Sequence, residues 1–357
     1  MRNRGGFTLV EMMVAMALTI FVMVILTEAF VLSIDTFVGL KGIGDMQENL
    51  RAGANVLRAD LQQYHLEGAR RVSDPTLPTA PPREGFFVIF QGAASTSEGV
   101  DGDNMPSSRA TTHVLQFTSR LKGNQQQSFY TTALQDVSAP LTSFFQTRTF
   151  YNMDPTTAPG VDADATLRVP ANGPFYRSQW AEIVYFLGNP NIGAFQPIGS
   201  SESAFNPNVP GTLLFGLYRA QYVAATDTTK LNANAYPAKF LSNFLSPAAS
   251  GNFGVACGIN GSAIQFYSPQ DLASGTRTVS PSSPTFNAAS LVVPNVISFQ
   301  VRAITSASTA PQDLSSTFPA TYDTASASAP LQGVAITLRV WDVKTRQSRQ
   351  LTIMQDL

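Results

Sequence analysis

The longest apolar run of the chain lies near its amino terminus. The residues from Met12 to Thr27 carry no charge, and the largely apolar stretch from Phe7 to Ile34 is broken only by Glu11 and Glu28. A helix needs about 20 apolar residues to cross the hydrocarbon core of a bilayer, and no proline interrupts this stretch. The pattern predicts a transmembrane helix half over residues 7–34.

The periodicity continues beyond the apolar run, but on one face. Apolar residues recur every three or four positions, as along a helix that packs one stripe on a domain: Leu40, Ile43, Met46, Leu50, Ala54, Leu57, Leu61 and Tyr64. Gly39, Gly42 and Gly44 weaken the helix locally and predict a flexible point. Asp74 precedes a proline and so disfavours helix, which predicts an end near Arg71. An amphipathic soluble helix half is therefore predicted over residues 35–72.

The remainder of the chain, residues 73–357, changes to a period of two. Alternating segments predict strands at Phe86–Phe90, His113–Thr118, Phe145–Tyr151, Ala181–Leu187, Leu213–Val223, Ala263–Tyr267, Val296–Arg302, Val334–Val340 and Arg349–Met354. Long polar stretches rich in Ser, Thr, Ala, Asn and Pro separate them. The predicted fold class is α+β, a long amino-terminal helix packed on an antiparallel sheet domain with long loop insertions.

Composition narrows the function classes. Charged residues make up 13% of the chain, against about 25% in an average protein, and the net charge of −1 gives no footprint for nucleic acid. Cys257 is the single cysteine, which excludes an internal disulfide and a cysteine-based zinc site. We expect Cys257 to be a small buried residue.

The leader before the apolar run is short and basic. Arg2 and Arg4 predict that this end stays in the cytoplasm and that the bulk of the chain lies across the membrane. A cleaved secretory signal is disfavoured, because the apolar run continues well past Ala15 and Ala17. A lipoprotein signal lacks its cysteine, and a plain membrane anchor leaves a carboxylate at Glu11 unexplained.

The heptapeptide from Gly5 to Glu11, GGFTLVE, resembles the type III signal of type IV pilins and pseudopilins. In that family, prepilin peptidase cuts after the glycine and methylates the new amino-terminal residue. The resemblance implies a cleaved leader at residues 1–6, cleavage between Gly6 and Phe7, and methylation of Phe7. It also implies a pilin-like fold.

Glu11 then becomes the fifth residue of the mature chain, one helical turn from the new amine of Phe7. A buried charge is costly unless it is paired. The resemblance implies that Glu11 pairs with the amino terminus of a neighbouring subunit during assembly. The alternative is a carboxylate that reaches the lipid headgroups. Glu28 is expected to lie at the outer interface.

Three shorter segments resemble particular members of this family, and each of these matches has low specificity. LRADLQQ, from Leu57 to Gln63, resembles a segment of J-type minor pseudopilins of type II secretion and of W-type minor pilins. A helix surface carrying Arg58 and Asp60 explains it equally well. LYR, ending at Arg219, and the stretch from Leu291 to Phe299 resemble J-type segments.

The J-type resemblance implies a non-catalytic subunit with a single pass through the bacterial inner membrane and a periplasmic domain. It implies assembly near the tip of a hetero-oligomeric fibre with other pseudopilins, the I- and K-type among them. A W-type minor pilin that primes a type IV pilus or DNA-uptake fibre stays open. So does a different class, a binding protein or enzyme that uses the signal for placement alone.

Candidate chemistry is sparse. His65 and His113 are the two histidines; a structural or surface role is expected for His65, and His113 has no partner histidine nearby in sequence. No catalytic motif appears, so no enzyme and no cofactor are predicted. Oxygen-bearing side chains at Asp101, Asp103 and Asn104 suit calcium weakly, with a solvated acidic turn as the alternative.

The first prediction concerns the mature amino terminus. We expect mass spectrometry of the chain isolated from membranes to find methylated Phe7 at its start. A chain that begins at Met1 or after Ala17 would show that the resemblance does not extend to processing.

Overall fold

A computed structural model describes residues 8–100, 106–133, 175–188, 214–225, 254–260, 263–282, 289–306, 308–343 and 345–357. The predicted strand Phe145–Tyr151 lies outside the described residues.

One long helix, α1, spans Leu9–Leu61 over 53 residues, or about 80 Å at 1.5 Å per residue. It runs without interruption through Gly39, Gly42 and Gly44. The predicted end near Arg71 is wrong, because α1 stops ten residues earlier, at Leu61.

Tertiary contacts explain this early end. The ring of His65 lies with Nδ1 2.8 Å from the Thr118 carbonyl oxygen and Nε2 3.1 Å from the Leu61 carbonyl oxygen. The carbonyl of Tyr64 accepts a hydrogen bond from the Arg120 amide at 2.8 Å. Backbone and ring contacts with the sheet therefore replace the next helical turn.

Within the described residues, fifteen strands, a short 3-10 helix (Gln126–Ser128) and a short α-helix, α2 (Pro269–Ala273), follow α1. The strands are β1 (Phe87–Gln91), β2 (Thr96–Val100), β3 (Pro106–Arg109), β4 (His113–Arg120), β5 (Tyr130–Ala133), β6 (Phe175–Ser178), β7 (Trp180–Gly188), β8 (Phe215–Val223), β9 (Cys257–Asn260), β10 (Ala263–Phe266), β11 (Ala289–Thr305), β12 (Ser308–Gln312), β13 (Ala320–Asp323), β14 (Leu331–Asp342) and β15 (Gln347–Asp356).

The main sheet is antiparallel, with the order β13-β1-β4-β7-β8-β11-β14-β15 and β12 paired to β11. The predicted α+β architecture of a long helix on an antiparallel sheet is confirmed. Each predicted strand within the described residues overlaps an observed one. The strand predicted at Val296–Arg302 is longer than expected, since β11 begins at Ala289 and passes through shifts of register on its way to Thr305.

The carboxyl-terminal part of α1 crosses the strands of the main sheet. Gly42 lies against Asp342 at the end of β14, and Gly53 lies against β11. Asp60 contacts β7 and β8, and Tyr64, just beyond the helix, pairs with β4. The helix therefore contacts the sheet from β15 and β14 at one end to β4 at the other.

Both faces of the sheet are covered. On one face, the helix stripe of Met46, Leu50, Ala54, Leu57 and Leu61 enters the main core together with side chains from β1, β4, β7, β11 and β14. On the other, residues 254–260 and 263–282 cover a second cluster that includes Phe86, Val184, Phe186, Tyr222 and Leu272. The predicted stripe is confirmed from Met46 to Leu61, whereas Leu40, which was predicted to belong to it, is exposed. The side chains of the sheet point alternately into the two clusters.

The glycines of α1 fall into two groups. A Cβ added at Gly53 would overlap with Cγ2 of Val293, and one added at Gly42 would overlap with the Asp342 carboxylate. A Cβ added at Gly39 or Gly44 meets nothing within 4 Å. Gly42 and Gly53 therefore permit close approach of helix and sheet.

We predict opposite effects for a matched pair of substitutions. Gly53→Ala should lower the free energy of unfolding by about 1–3 kcal/mol, because the added methyl group forces Val293 aside. Gly39→Ala should leave it unchanged or raise it by up to about 1 kcal/mol through helix propensity. Denaturant titration of the full chain in detergent, followed by near-UV circular dichroism, measures both. Equal stability of the two variants would contradict the close-packing role of Gly53.

Candidate assembly site and helix–domain link

The amino-terminal half of α1 is long and apolar enough to cross a membrane. Its large apolar side chains from Leu9 to Leu40 are exposed, and none of the most apolar window is buried against the domain. Such a surface needs lipid or other apolar helices around it, which is consistent with a single-pass membrane anchor.

Glu11 lies in the first turn of α1, where it forms a capping box with Thr8. Oε2 of Glu11 accepts hydrogen bonds from the Thr8 amide at 2.8 Å and from the Thr8 hydroxyl at 2.9 Å. The Thr8 hydroxyl accepts in return from the Glu11 amide at 3.4 Å. These bonds satisfy orphan donors of the helix start and hold a carboxylate at the positive end of the helix dipole.

The carboxylate therefore has local partners in this chain, yet it stays exposed. Thr8 was not singled out from the sequence as a partner, although the spacing S/T-x-x-E is the signal of a capping box. Arg2, Arg4, Gly6 and Phe7 lie outside the described residues, so cleavage after Gly6 and methylation of Phe7 stay predictions.

Comparison with known proteins bears on this segment. Residues 1–27 match the family described as the prokaryotic N-terminal methylation motif. The chain carries a prepilin-type methylation motif. The motif indicates a type IV pilin-like protein that prepilin peptidase processes and that assembles into a pilin-type fibre. A search of the curated proteins and a search of the solved structures each found no match to the chain.

A second charged site joins the other end of α1 to the sheet. Oδ2 of Asp60 accepts hydrogen bonds from Nε of Arg219 at 2.6 Å and from the Tyr185 hydroxyl at 2.5 Å. Nη2 of Arg219 reaches Oδ1 at 3.2 Å, which makes the pair bidentate. Close by, the buried Tyr130 hydroxyl lies 2.6 Å from Oγ of Ser119.

Electrostatics in this cluster follow from burial and from the Asp60 charge. Burial opposes the charge of Arg219, but its hydrogen bonds to Asp60 raise the pKa of the guanidinium above its ordinary value. Burial and the neighbouring Asp60 carboxylate raise the pKa of Tyr185 well above its ordinary value. Burial also raises the pKa of Tyr130 to about 12. The arginine therefore stays charged and both tyrosines stay neutral at physiological pH.

This link connects two of the short segments that resemble J-type pseudopilins. Asp60 belongs to LRADLQQ, and Arg219 ends LYR. The alternative that Asp60 is a surface residue is wrong, because its exposed fraction is 9%. Arg58, two residues earlier, is exposed as that alternative expected.

Both histidines are buried. His65 packs edge-on against Phe87 and Phe117, and burial lowers its pKa. Nδ1 of His113 accepts a hydrogen bond from the Val301 amide at 3.1 Å, and burial lowers its pKa too. The structural role predicted for His65 is confirmed.

A buried carboxylate that sequence reasoning missed lies on the other face of the sheet. Oε1 of Glu182 accepts a hydrogen bond from Nε2 of Gln116 at 2.5 Å, and Oε2 accepts from the Thr278 amide at 3.3 Å. Burial raises the pKa of Glu182. Nearby, Arg277 lies over the Phe86 ring and pairs with Asp323 at 3.1 Å. These contacts fasten residues 268–282 to the sheet.

The weak calcium candidate gains no support. Asp101, Asp103 and Asn104 lie outside the described residues, and the carboxylate of the preceding Glu98 binds Arg109 and Arg339 instead. Within the described ranges, no three His, Cys, Asp or Glu side chains are grouped to hold a metal ion. The side chain of Cys257 is half-buried, and burial raises the pKa of its thiol to about 12, so the thiolate needed for reactivity is scarce.

We predict that the Asp60–Arg219 pair contributes strongly to domain stability. Asp60→Asn leaves Arg219 buried without its counter-charge and should lower the free energy of unfolding by about 3 kcal/mol. Arg58→Gln, an exposed change two residues away, should alter it by no more than about 0.5 kcal/mol. Near-UV circular dichroism during denaturant titration measures both.

A double-mutant cycle isolates the pair. Asp60→Leu combined with Arg219→Leu should cost less than the sum of the two single changes. Additive losses would mean that the two side chains stabilise the fold independently.

Proposed function

We propose that the chain is a structural minor pseudopilin of a type II secretion machine. It is processed at Gly6 and Phe7, anchored once in the inner membrane with its amino terminus in the cytoplasm, and built into a periplasmic fibre near its tip. Its direct neighbours are other pseudopilins, the I- and K-type among them.

The observation that carries the proposal is the matched motif together with the capped carboxylate of Glu11. Glu11 stands at the start of a membrane-length helix, one turn from the predicted new amine of Phe7. The capping bonds orient the carboxylate at the helix end where that amine forms. Because Thr8 supplies every partner of this carboxylate among the described residues, a neighbouring amine can replace them at small cost.

The link between LRADLQQ and LYR supports the J-type assignment. Two short segments of low specificity become one structural unit when Asp60 binds Arg219. In the folded chain the Asp60 carboxylate and the Arg219 guanidinium neutralise each other, which explains why each segment carries a charged residue inside the core. The same LRADLQQ segment also supports a W-type minor pilin, which primes a type IV pilus or a DNA-uptake fibre.

The two fibres are distinguished by the phenotype of a deletion. Loss of the gene should abolish secretion of folded periplasmic proteins while surface pili persist. Lost pili or lost DNA uptake with secretion intact would favour the W-type alternative. Retained secretion and retained pili, with loss of a binding or enzymatic activity, would favour the third alternative, a binding protein or enzyme that uses the pilin-like signal for placement alone.

Glu11 variants test the assembly mechanism. Glu11→Gln keeps the capping box, since glutamine serves at the same position, but it removes the charge. Glu11→Ala removes both. We expect both variants to be cleaved after Gly6 and both to be lost from the fibre about tenfold or more, because an amine without a counter-charge is costly in apolar surroundings.

Glu28→Gln is the matched control, since it neutralises the other carboxylate of the apolar half. It should assemble as the unaltered chain does. Immunoblots of purified fibres and mass spectrometry of the amino terminus provide the two readouts. Normal assembly of Glu11→Gln would show that Glu11 acts through helix capping and not through its charge.

A further inference from the structure

The strand β15 forms one end of the main sheet. It pairs with β14 over ten consecutive positions, from Gly333 and Asp356 to Asp342 and Gln347, without a shift of register. Its other edge has no strand beside it within the described residues. The sheet thus presents a long, straight edge.

The register identifies which backbone groups face outward. The amide of Leu357 donates to the Gln332 carbonyl at 3.1 Å, in register with the β14–β15 ladder. Alternate residues of an antiparallel strand turn their N–H and C=O groups to opposite sides. The outward-facing groups therefore belong to Ser348, Gln350, Thr352, Met354 and Asp356.

Almost all of these groups lack a hydrogen-bond partner in the part of the chain that the structure describes. The carbonyl of Asp356, which accepts from Nε2 of Gln355 at 3.0 Å, is the exception. An unpaired edge of this kind is a template for another strand. Natural sheets protect such edges with proline, lysine, a bulge or a short strand.

The strand β15 is long and has no proline, lysine or bulge, and of the charged side chains that also protect sheet edges it has two. Its sequence, QSRQLTIMQD, contains no proline, glycine or lysine, and its charged residues are Arg349 and Asp356. The opposite edge of the sheet, β13, is a strand of four residues. This difference in length is expected if another chain covers β15, the longer edge, in the assembled fibre.

We propose that β15 is a docking edge that receives an extended strand from a different pilin-like subunit anchored in the same membrane. This inference rests on the proposed fibre role. The incoming strand completes the main sheet by β-strand addition, in which backbone hydrogen bonds supply affinity and side-chain pockets supply specificity.

A second copy of the chain, docked through the same edge, does not fit. A two-fold axis that pairs β15 antiparallel with β15 stands normal to the sheet and reverses every direction in its plane, including that of α1, which packs along the sheet. One of the two helices would then point away from the bilayer that anchors the other. A partner that presents a different edge keeps both helices in one orientation.

The side chains of β15 define the partner strand further. Ile353 is buried and Leu351 half-buried on the helix side, whereas Gln350, Thr352 and Met354 are exposed on the other side. The partner strand should therefore be apolar on its helix side and polar on the other. Charge complementarity calls for an acidic residue opposite Arg349 and a basic one opposite Asp356.

A proline substitution at one position of β15 tests whether this edge receives a strand. Thr352→Pro removes an outward N–H and places a ring in the path of the incoming strand, while the bonds to β14 stay intact. Thr352→Val loses the same hydroxyl but keeps the N–H, so it is the matched control. The readout is the amount of each full-length variant in fibres isolated through another pilin-like subunit.

We expect Thr352→Pro to be reduced in the fibre by about tenfold or more, and Thr352→Val to remain at the level of the unaltered chain. Both should show the same near-UV circular dichroism. Hydrogen exchange on the unaltered chain provides a second readout. The Thr352 amide should exchange fast in detergent and slowly in the fibre, whereas the Ile353 amide should be protected in both.

Equal incorporation of the two variants, or an unprotected Thr352 amide in the fibre, would overturn the docking edge and leave the fibre role intact. Absence of the unaltered chain from the fibre would overturn the proposed function and this inference with it. The two failures are thus told apart by the unaltered chain.

Discussion

The packing of α1 across the main sheet is the constraint on which the rest of the structure depends. Met46, Leu50 and Leu57 bury one stripe of the helix, and each such side chain contributes about 1.5–3 kcal/mol. An apolar stripe alone tolerates a slide by one turn, about 5.4 Å. Such a slide would leave Asp60 and Arg219 buried and unpaired, so the ion pair selects one position of the helix among those that hydrophobic burial permits.

Two carboxylates near the opposite ends of this helix, Glu11 and Asp60, are stabilised differently. The carboxylate of Glu11 accepts hydrogen bonds from Thr8, three residues away, on an exposed first turn. The carboxylate of Asp60 forms an ion pair with Arg219, 159 residues away, inside the core. The first arrangement can be exchanged for a new partner without disturbing the domain, and the second cannot. This difference matches an assembly group at one end and a structural group at the other.

Much of the fold could be predicted from periodicity, because the apolar residues of α1 and β14 recur at the spacing that places them on one buried face. The end of α1 could not, because it depends on His65 and on a backbone contact with β4 that have no local signal. The partner of Asp60 could not be predicted either, since an isolated aspartate on a helix ordinarily faces water. Glu182 was missed for the related reason that a charged residue in an alternating segment indicates the solvent side of a sheet.

The crossing of α1 over the strands also has a mechanical consequence. A pull along α1 enters the domain through the contacts that this helix makes with the sheet. A sheet that is pulled at one edge strand alone opens one strand at a time. Contacts from Gly42 at β14 to Tyr64 at β4 instead spread the force over the sheet. The carboxyl-terminal part of α1 is thus joined to several strands at once, and a force on this helix is shared among them.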